Sequence, residues 1–152
     1  MENNSLEVIL LEEFDHKLIP LEIECYSYFA NVLLTEEEAS ERIDDYIYSK
    51  KIYAFVLYSG SSCVGYTVLE QKSNKEVKSL FAYIQNDLRG NGYGSFLIKK
   101  TYEKLSEMGN KTVFGCITWK NEVSKRMVER HNAIVDEFSN EKMPSHYEVS
   151  LV

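Results

Sequence analysis

Residues 89–94 form a glycine-rich turn (RGNGYG), and Ser95 follows directly. The turn lies between an apolar run at residues 80–84 and apolar residues at helical intervals from Phe96 to Met108. A strand that turns through three glycines into a helix exposes backbone N–H groups, and the helix N-terminus adds a partial positive charge. This junction therefore predicts a binding site for a phosphate or pyrophosphate group. A tight strand-to-helix connection with close packing explains the same glycines without a ligand.

Two familiar nucleotide-binding motifs do not fit this turn. The dinucleotide fingerprint requires G-x-G-x-x-G, whereas the third glycine, Gly94, comes one residue early. That fingerprint also includes an acidic residue about 20 positions later, and residues 112–119 contain none. A Walker A loop requires Gly-Lys-Ser/Thr after its glycines, and no such tripeptide follows. The sequence therefore favours neither motif.

The distribution of charge supports an anionic ligand at the turn. The 152-residue chain has a net charge of −7, which disfavours nucleic acid as a partner. Residues 89–130, however, carry 9 basic and 4 acidic side chains, a balance of +5. Residues 1–88 carry 7 basic and 16 acidic side chains, and residues 131–152 carry 1 and 4. The only basic segment thus begins at the glycine turn, although a solvated, Lys-rich helix face would give the same pattern.

The composition, with 44% hydrophobic and 27% charged residues, is typical of a globular protein. No apolar segment approaches the roughly 20 residues needed to cross a bilayer, and residues 1–4 lack the features of a signal peptide. The cysteines and histidines are scattered along the chain: Cys25, Cys63, Cys116, His16, His131 and His146. We therefore expect reduced thiols, a cytoplasmic location, no membrane association and no metal.

Hydrophobic periodicity predicts a single domain over residues 1–152, because no linker, repeat or low-complexity run divides the chain. Strands are predicted at residues 6–11, 52–58, 63–69, 77–84, 112–119, 134–138 and 146–152. Helices are predicted at residues 17–34, 36–49, 96–108 and 121–131. Phe29 and Val32 are expected on the inner face of the first helix, and Met108 on that of the third. Residues 77–119 form a crossover, so the two strands in it should be parallel, whereas hairpins elsewhere make the sheet mixed.

This arrangement resembles motif A of the GNAT superfamily of N-acetyltransferases. The signature of that motif, Gln/Arg-x-x-Gly-x-Gly/Ala, is matched by Arg89, Gly92 and Gly94. A second match is Asn121, just after the next strand, with Ser124 three positions later. The resemblance covers most of the chain by element order. It implies an α/β (α+β) fold with a mixed, mostly antiparallel central sheet of about seven strands, flanked by four helices.

The resemblance also implies acetyl-CoA as a co-substrate, with its pantetheine arm in a wedge where residues 77–84 splay away from residues 112–119. The residues implied in binding it are Ala82, Tyr83 and Ile84 for the arm, Gly90, Asn91, Gly92, Tyr93, Gly94 and Ser95 for the pyrophosphate, Arg89 for the shape of the loop, and Asn121 and Ser124 for the opposite side of the arm. Asn121 also fits as a helix N-cap, and Ser124 as an exposed helix hydroxyl.

The family reaction is direct attack of an amine on the acetyl thioester, which requires a base and an acid but no nucleophilic side chain. Many members place the acid, a Tyr, seven residues after the conserved Asn, where this chain has Val128. Some members carry a carboxylate in the strand before the glycine turn, and this chain has Lys78 at about that position. Tyr147 is the best substitute acid, and Cys116 could reach the thioester. Both also fit as ordinary core residues.

The leading hypothesis is an acetyl-CoA-dependent N-acetyltransferase acting on a primary amine of a small molecule or peptide, as a monomer or homodimer. The alternatives are a catalytically silent acyl-CoA-binding sensor or interaction module, and an interaction protein whose glycine turn is structural. The acceptor region implied by the family is rich in acids: Glu36, Glu37, Glu38, Glu41, Asp44, Asp45, Asp136, Glu137 and Glu141. Acidic walls suit a cationic amine, although the first three acids can also serve the helix N-terminus.

Overall fold

The computed structural model describes residues 5–117, 134–135 and 145–151. The strands are β1 (Leu6–Leu10), β2 (Ile52–Ser59), β3 (Ser62–Gln71), β4 (Glu76–Ile84), β5 (Thr112–Ile117), β6 (Ile134–Val135) and β7 (Ser145–Ser150). The α-helices are α1 (Ile19–Ala30), α2 (Glu36–Tyr48) and α3 (Tyr93–Glu107). The predicted helix at residues 121–131 lies outside the described residues.

The strands form one seven-stranded mixed sheet in the order β1-β2-β3-β4-β5-β7-β6. Every neighbouring pair is antiparallel except β4 and β5, which are parallel and joined through α3. The predicted mixed, mostly antiparallel sheet and its parallel crossover are therefore confirmed. The predicted hairpin between β2 and β3 is also confirmed, with Ser59 paired to Ser62.

The first helix is shorter than predicted. It ends at Ala30 because Asn31 adopts the left-handed conformation, with φ = 57°, which is a common way to terminate a helix. The prediction that Phe29 and Val32 face the core is wrong, since both side chains are more than half exposed. Met108 is likewise 45% exposed rather than buried, because α3 ends one residue before it.

The second helix begins as its sequence predicts. The Thr35 hydroxyl accepts a hydrogen bond from Glu38 N–H, and the Glu38 carboxylate accepts one from Thr35 N–H. This reciprocal capping box satisfies two of the N–H groups that the first turn of a helix leaves unpaired. One of the acids in the predicted acidic region, Glu38, is therefore engaged in capping the helix.

The sheet buries a hydrophobic cluster on each face. One cluster packs α3 against residues such as Phe55, Leu57 and Val77. The other packs α1 and α2 against alternate residues of the same strands, including Val56 and Tyr66. Because side chains alternate across a strand, the central strands β2 and β3 are buried on both faces.

A β-bulge interrupts β4 at Leu80. Val68 of β3 pairs with Phe81, but the next residue, Leu69, pairs with Ser79, so Leu80 has no partner on β3. An extra residue in one strand bends that strand and increases its twist. The bulge also reverses the alternation, so that Val77 packs on the α3 face and Phe81 on the α1–α2 face.

A buried carboxylate supports the bulge from the α1–α2 face. Glu22 of α1 is 1% exposed and lies 2.6 Å from Arg42 Nε. Its carboxylate also accepts hydrogen bonds from the hydroxyls of Tyr46 (2.8 Å) and Tyr66 (2.5 Å). Both tyrosine rings pack against Phe81, at centroid distances of 6.2 and 5.3 Å. Glu22 thus positions the two rings that hold the residue after the bulge.

The substitution Glu22→Ala should reduce the free energy of unfolding by about 3 kcal/mol, because it leaves a buried and a partly buried hydroxyl without this acceptor and Arg42 without its carboxylate. The low end of the usual range applies, since the Arg42 side chain is 38% exposed and can recover some hydration. Urea unfolding measures the change. Glu41→Ala, at an exposed position of α2, is the control and should change the free energy by less than about 0.5 kcal/mol. A loss below about 1 kcal/mol for Glu22→Ala would contradict the assigned role.

Buried and partly buried thiols and phenols are expected to make the fold sensitive to alkaline pH. Burial raises the pKa of Cys25 and of Cys63 from 9.0 to about 12. Burial also raises the pKa of Tyr46, Tyr66 and Tyr102 above its usual value of 10. The unfolded chain therefore releases these protons at a lower pH than the folded chain does. Their contribution to stability is complete below about pH 9 and is lost as the pH rises towards 12.

We accordingly expect the free energy of unfolding in urea to be nearly constant from about pH 7.5 to 8.5 and to fall steadily from about pH 9 to 11. The substitution Cys25→Ala removes one of these groups, and it should make the fall in free energy shallower by the contribution of that thiol. A free energy that stays flat to about pH 11 in the parent chain would show that these groups titrate alike in both states.

Candidate functional site

A wedge opens between β4 and β5 beyond the bulge. The two strands pair only from Glu76↔Thr112 to Lys78↔Phe114, whereas β4 continues to Ile84 and β5 to Ile117. No described residue of β5 therefore pairs with the last six residues of β4. The sequence-based expectation that these strands splay apart is confirmed over the described residues.

The main-chain groups of Ala82 and Ile84 point into this wedge. Gln85 N–H donates to Val64 O on β3 at 2.9 Å. Because the main-chain groups of successive residues alternate between the two edges of a strand, Tyr83 also presents its groups to β3. Ala82 and Ile84 present theirs to the opposite edge, where Ile84 O accepts a hydrogen bond from Arg89 Nε at 3.1 Å. Ala82 is exposed, and its small side chain does not cover this edge of the strand.

Both the main chain and the side chain of Tyr83 are engaged in the fold. Its ring is buried on the α1–α2 face, and its hydroxyl donates to Glu24 at 2.7 Å. Burial and the Glu24 carboxylate raise the pKa of this phenol. The same carboxylate accepts a hydrogen bond from Asn86 N–H at 2.8 Å, so Glu24 ties α1 to the segment just after β4. Sequence reasoning missed this acid, since its partners lie about 60 residues away.

The glycine turn leads directly into α3. Gly90 and Gly92 adopt φ angles of 83° and 81°, and an added Cβ would meet nothing within 4 Å at either position. Gly92 is the N-cap, with no side-chain cap and no acid in the first turn. The first intrahelical bond is Phe96 N–H to Gly92 O. The N–H groups of the three preceding residues therefore lack helical partners, and they lie at the positive end of the helix dipole.

The conformation of the loop is held by its own side chains. Arg89 extends back along β4, and its guanidinium lies over the rings of Tyr28 and Tyr83, 4.7 and 4.8 Å from their centroids. Asn91 Nδ2 donates to Leu88 O at 3.0 Å. Tyr93 is buried in the cluster beneath α3, so it anchors the helix start and offers the loop only its main chain. The remaining residues of the turn, Gly94 and Ser95, lie in the first turn of α3.

Tyr147 lies on the α3 face of β7, beside the wedge strand β5. It pairs with Gly115, and a Cβ on Gly115 would come within 2.9 Å of the Tyr147 ring. Gly115 is therefore required to make space for this ring. Tyr147 is 8% exposed and clusters with Val149 and Tyr102. Its burial fits a core residue, and its strand position places it one strand away from the parallel pair.

The other predicted site residues are placed only in part. Cys116 lies in β5 opposite His146, and its side chain is outside the described residues. Asn121, Ser124 and Val128 also lie outside them. Lys78 is the last residue of β4 that pairs with β5, just before the bulge. Within the described ranges, no group of three or more His, Cys, Asp or Glu side chains could hold a metal ion.

The geometry fits an elongated ligand that carries an anionic group at one end. Unpaired amides at the α3 N-terminus suit a phosphate or pyrophosphate. From there, the free edge of β4 leads to the bulge and offers main-chain donors and acceptors to a chain with amide groups, in the manner of an added strand. No described helix is long and apolar enough to cross a membrane.

Comparison with known proteins agrees with this geometry. A sequence profile described as the acetyltransferase (GNAT) family matches residues 16–133. The fold matches that of PaiA N-acetyltransferase from Thermoplasma acidophilum, solved in complex with coenzyme A, with a TM-score of 0.74 at 15% identity over 96% of this chain and 99% of that one. An acetyltransferase from Thermus thermophilus gives 0.74 at 18% identity over 96% and 97%. The ribosomal-protein-S18-alanine N-acetyltransferase of Escherichia coli gives 0.71 at 11% identity over 96% and 94%.

No curated protein matches the sequence. The family profile nevertheless covers most of the chain, from before α1 to just before β6. This protein belongs to the acetyltransferase (GNAT) family, and the resemblance noted in its sequence is confirmed.

Proposed function

We propose that this protein transfers an acetyl group from acetyl-CoA to a primary amine. The observation that carries the proposal is the pair of main-chain regions that the described residues leave without partners: the first-turn amides of α3 and the edge of β4 beyond Lys78. The loop amides at residues 90–95 would bind the pyrophosphate of coenzyme A. Ala82 and Ile84 would bind its pantetheine arm. One relative of the same fold was solved with coenzyme A, which supports this ligand.

The amides that bind the donor are fixed before it arrives. Arg89 and Asn91 already hold the loop in shape, so little conformational entropy is lost when the anion binds. N–H groups at the end of β4 would stabilise the negative charge that develops on the thioester oxygen. Their fixed position matters here, because preorganised donors need no rearrangement during the reaction.

The reaction needs no covalent intermediate on the protein. The amine nitrogen bonds to the thioester carbon, the carbon–sulfur bond breaks, and the electron pair of that bond goes to sulfur. The ammonium must lose one proton before attack, the nitrogen loses a second as the amide forms, and the thiolate takes up one proton. A thiol has a pKa of about 8.5, so its anion leaves readily near neutral pH even without a dedicated acid. This suits a chain with Val128 and Lys78 at the positions where the family often carries the acid and the base.

Acetyl-CoA at about 100 times its dissociation constant should raise the melting temperature by about 5 °C or more. Gly92→Ala should lose most of this shift, because its methyl group would occupy the space above the α3 N-terminus. Gly109→Ala is the matched control, since Gly109 also has a left-handed φ, 96°, and open space around it. Each variant should lose about 1 kcal/mol of stability from backbone strain, so only the ligand-induced shift distinguishes them.

Release of free thiol with a panel of primary amines then tests turnover. Stabilisation together with amine-dependent thiol release supports the transferase. Stabilisation without thiol release from any amine would instead identify a silent acyl-CoA-binding module. A folded protein whose melting temperature does not change with acetyl-CoA would contradict both functions.

A further inference from the structure

A patch of apolar side chains surrounds the end of α1. It consists of Tyr28, Phe29, Val32 and Leu33, which are 58%, 55%, 51% and 77% exposed, and we call it the apolar rim. Four of the eight large apolar side chains that are exposed in the described residues lie in this short segment. Concentrated apolar exposure of this kind marks a binding surface far more often than scattered single residues do.

The rim is continuous with the wedge between β4 and β5. The Phe29 ring lies 6.3 Å from that of Phe81 and 6.2 Å from that of Tyr83. Phe81 directly follows the bulge at Leu80, which is itself 43% exposed. The rim therefore borders the place where β4 leaves β5, on the face of the sheet opposite α3. A donor that runs along the free edge of β4 would have its reactive end beside this face.

The carboxylates of α1 near the rim are engaged in the fold. Glu22 is buried with Arg42 and two tyrosine hydroxyls. Glu24 accepts hydrogen bonds from Tyr83 and from Asn86 N–H. At the start of α2, Glu38 caps its own helix. These three carboxylates are thus satisfied by the protein. In the described part of the chain, the charges that remain near the rim are those of Glu36 and Glu37, exposed in the first turn of α2, and the Arg89 guanidinium over the Tyr28 ring.

A peptide acceptor would need main-chain partners as well as an apolar contact. One edge of β4 is occupied by β3, and the proposed function assigns the other edge to the donor arm. The rim is a helix end and a loop, and it has no strand edge that could pair with a peptide. It suits an apolar group about the size of one ring.

We propose that the acceptor is a small primary amine whose carbon skeleton carries an aromatic or branched aliphatic group, and that this group binds at the apolar rim. The inference rests on the proposed function, because it specifies the substrate of the same site. Apolar contact at the rim would place the amine nitrogen towards the bulge, next to the reactive end of the donor.

Thiol release with acetyl-CoA should compare phenethylamine with ethanolamine and with putrescine. We expect kcat/KM for phenethylamine to exceed that for either polar amine by more than about tenfold, since burying a ring is worth about 2 kcal/mol and 1.4 kcal/mol is a factor of ten. Phe29→Ser should remove most of this preference and leave the acetyl-CoA melting shift unchanged. Tyr48→Ser is the matched control, because Tyr48 is also an exposed aromatic at the end of a helix, and it should retain the preference.

Binding is measured separately by the methyl resonances of Val32 and Leu33 during titration with phenethylamine, in the presence of coenzyme A. We expect these signals to shift, whereas the Ile9 methyl groups on the edge strand β1 should not. Ethanolamine should shift neither set. This measurement reports on the rim even if no amine releases thiol, so failure of the rim proposal and failure of the transferase proposal are distinguishable.

Three kinds of result would overturn the inference. One is a preference for putrescine, or a preference for phenethylamine that Phe29→Ser leaves intact. Another is a kcat/KM for an apolar dipeptide amide more than about tenfold above that for phenethylamine, which would assign the rim to peptides. The third is a change from dimer to monomer in Phe29→Ser by analytical ultracentrifugation, with unaltered amine preference, which would show that a second copy of the chain covers the rim.

Discussion

The divergence of β4 from β5 follows from the unpaired Leu80, and the geometry of the site follows from that divergence. A bulge bends its strand, whereas in a regular parallel pair the main-chain groups of Ala82 and Ile84 would be bonded within the sheet. With the bulge, pairing with the described residues of β5 stops at Lys78, and beyond that point β4 has an edge that no described strand covers. Free edges are normally a liability in sheets. Here the edge is short, and it ends at a helix N-terminus that suits an anion.

Both sides of this edge are held in place by contacts between distant parts of the chain. On one face, Glu22 fixes the tyrosines that pack against Phe81. At the far end, Arg89 bonds to Ile84 O and stacks on Tyr83. The site is therefore built from ordinary main-chain groups whose positions are determined by buried side chains. Substitutions beneath the strand should consequently disturb it as much as substitutions within it.

The order of the elements could be predicted from the sequence because periodicity and caps are local signals. Thr35 and Glu38 define a helix start within four residues, and the glycines of the turn indicate the left-handed angles that Gly90 and Gly92 adopt. The bulge could not be predicted in the same way. It is a mismatch in register between two strands, and a run of apolar residues such as 80–84 has no local mark of it.

The length of the first helix was predicted wrongly, and the burial of Glu22 was not predicted; both have equally specific causes. Asn31 is a residue that often ends helices in the left-handed conformation, but the apolar residues after it continued the helical spacing and outweighed that signal. The burial of Glu22 depends on Arg42 and on tyrosines in other elements, and such partners can be paired only once the fold is known. Local rules thus predicted the order of the elements, whereas long-range contacts determine which side chains lie beside the wedge.

The parallel ladder between β4 and β5 contains only three residue pairs. It is nevertheless the only strand pairing in the described sheet that joins β1–β4 to β5 and β7. The first group is an antiparallel meander with short connections from β2 to β4, which should assemble early in folding. The second group is reached only through α3, which carries the chain across the sheet. The wedge therefore lies along the seam between the two groups, and a chain in which only the first had formed would present β4 as an open edge.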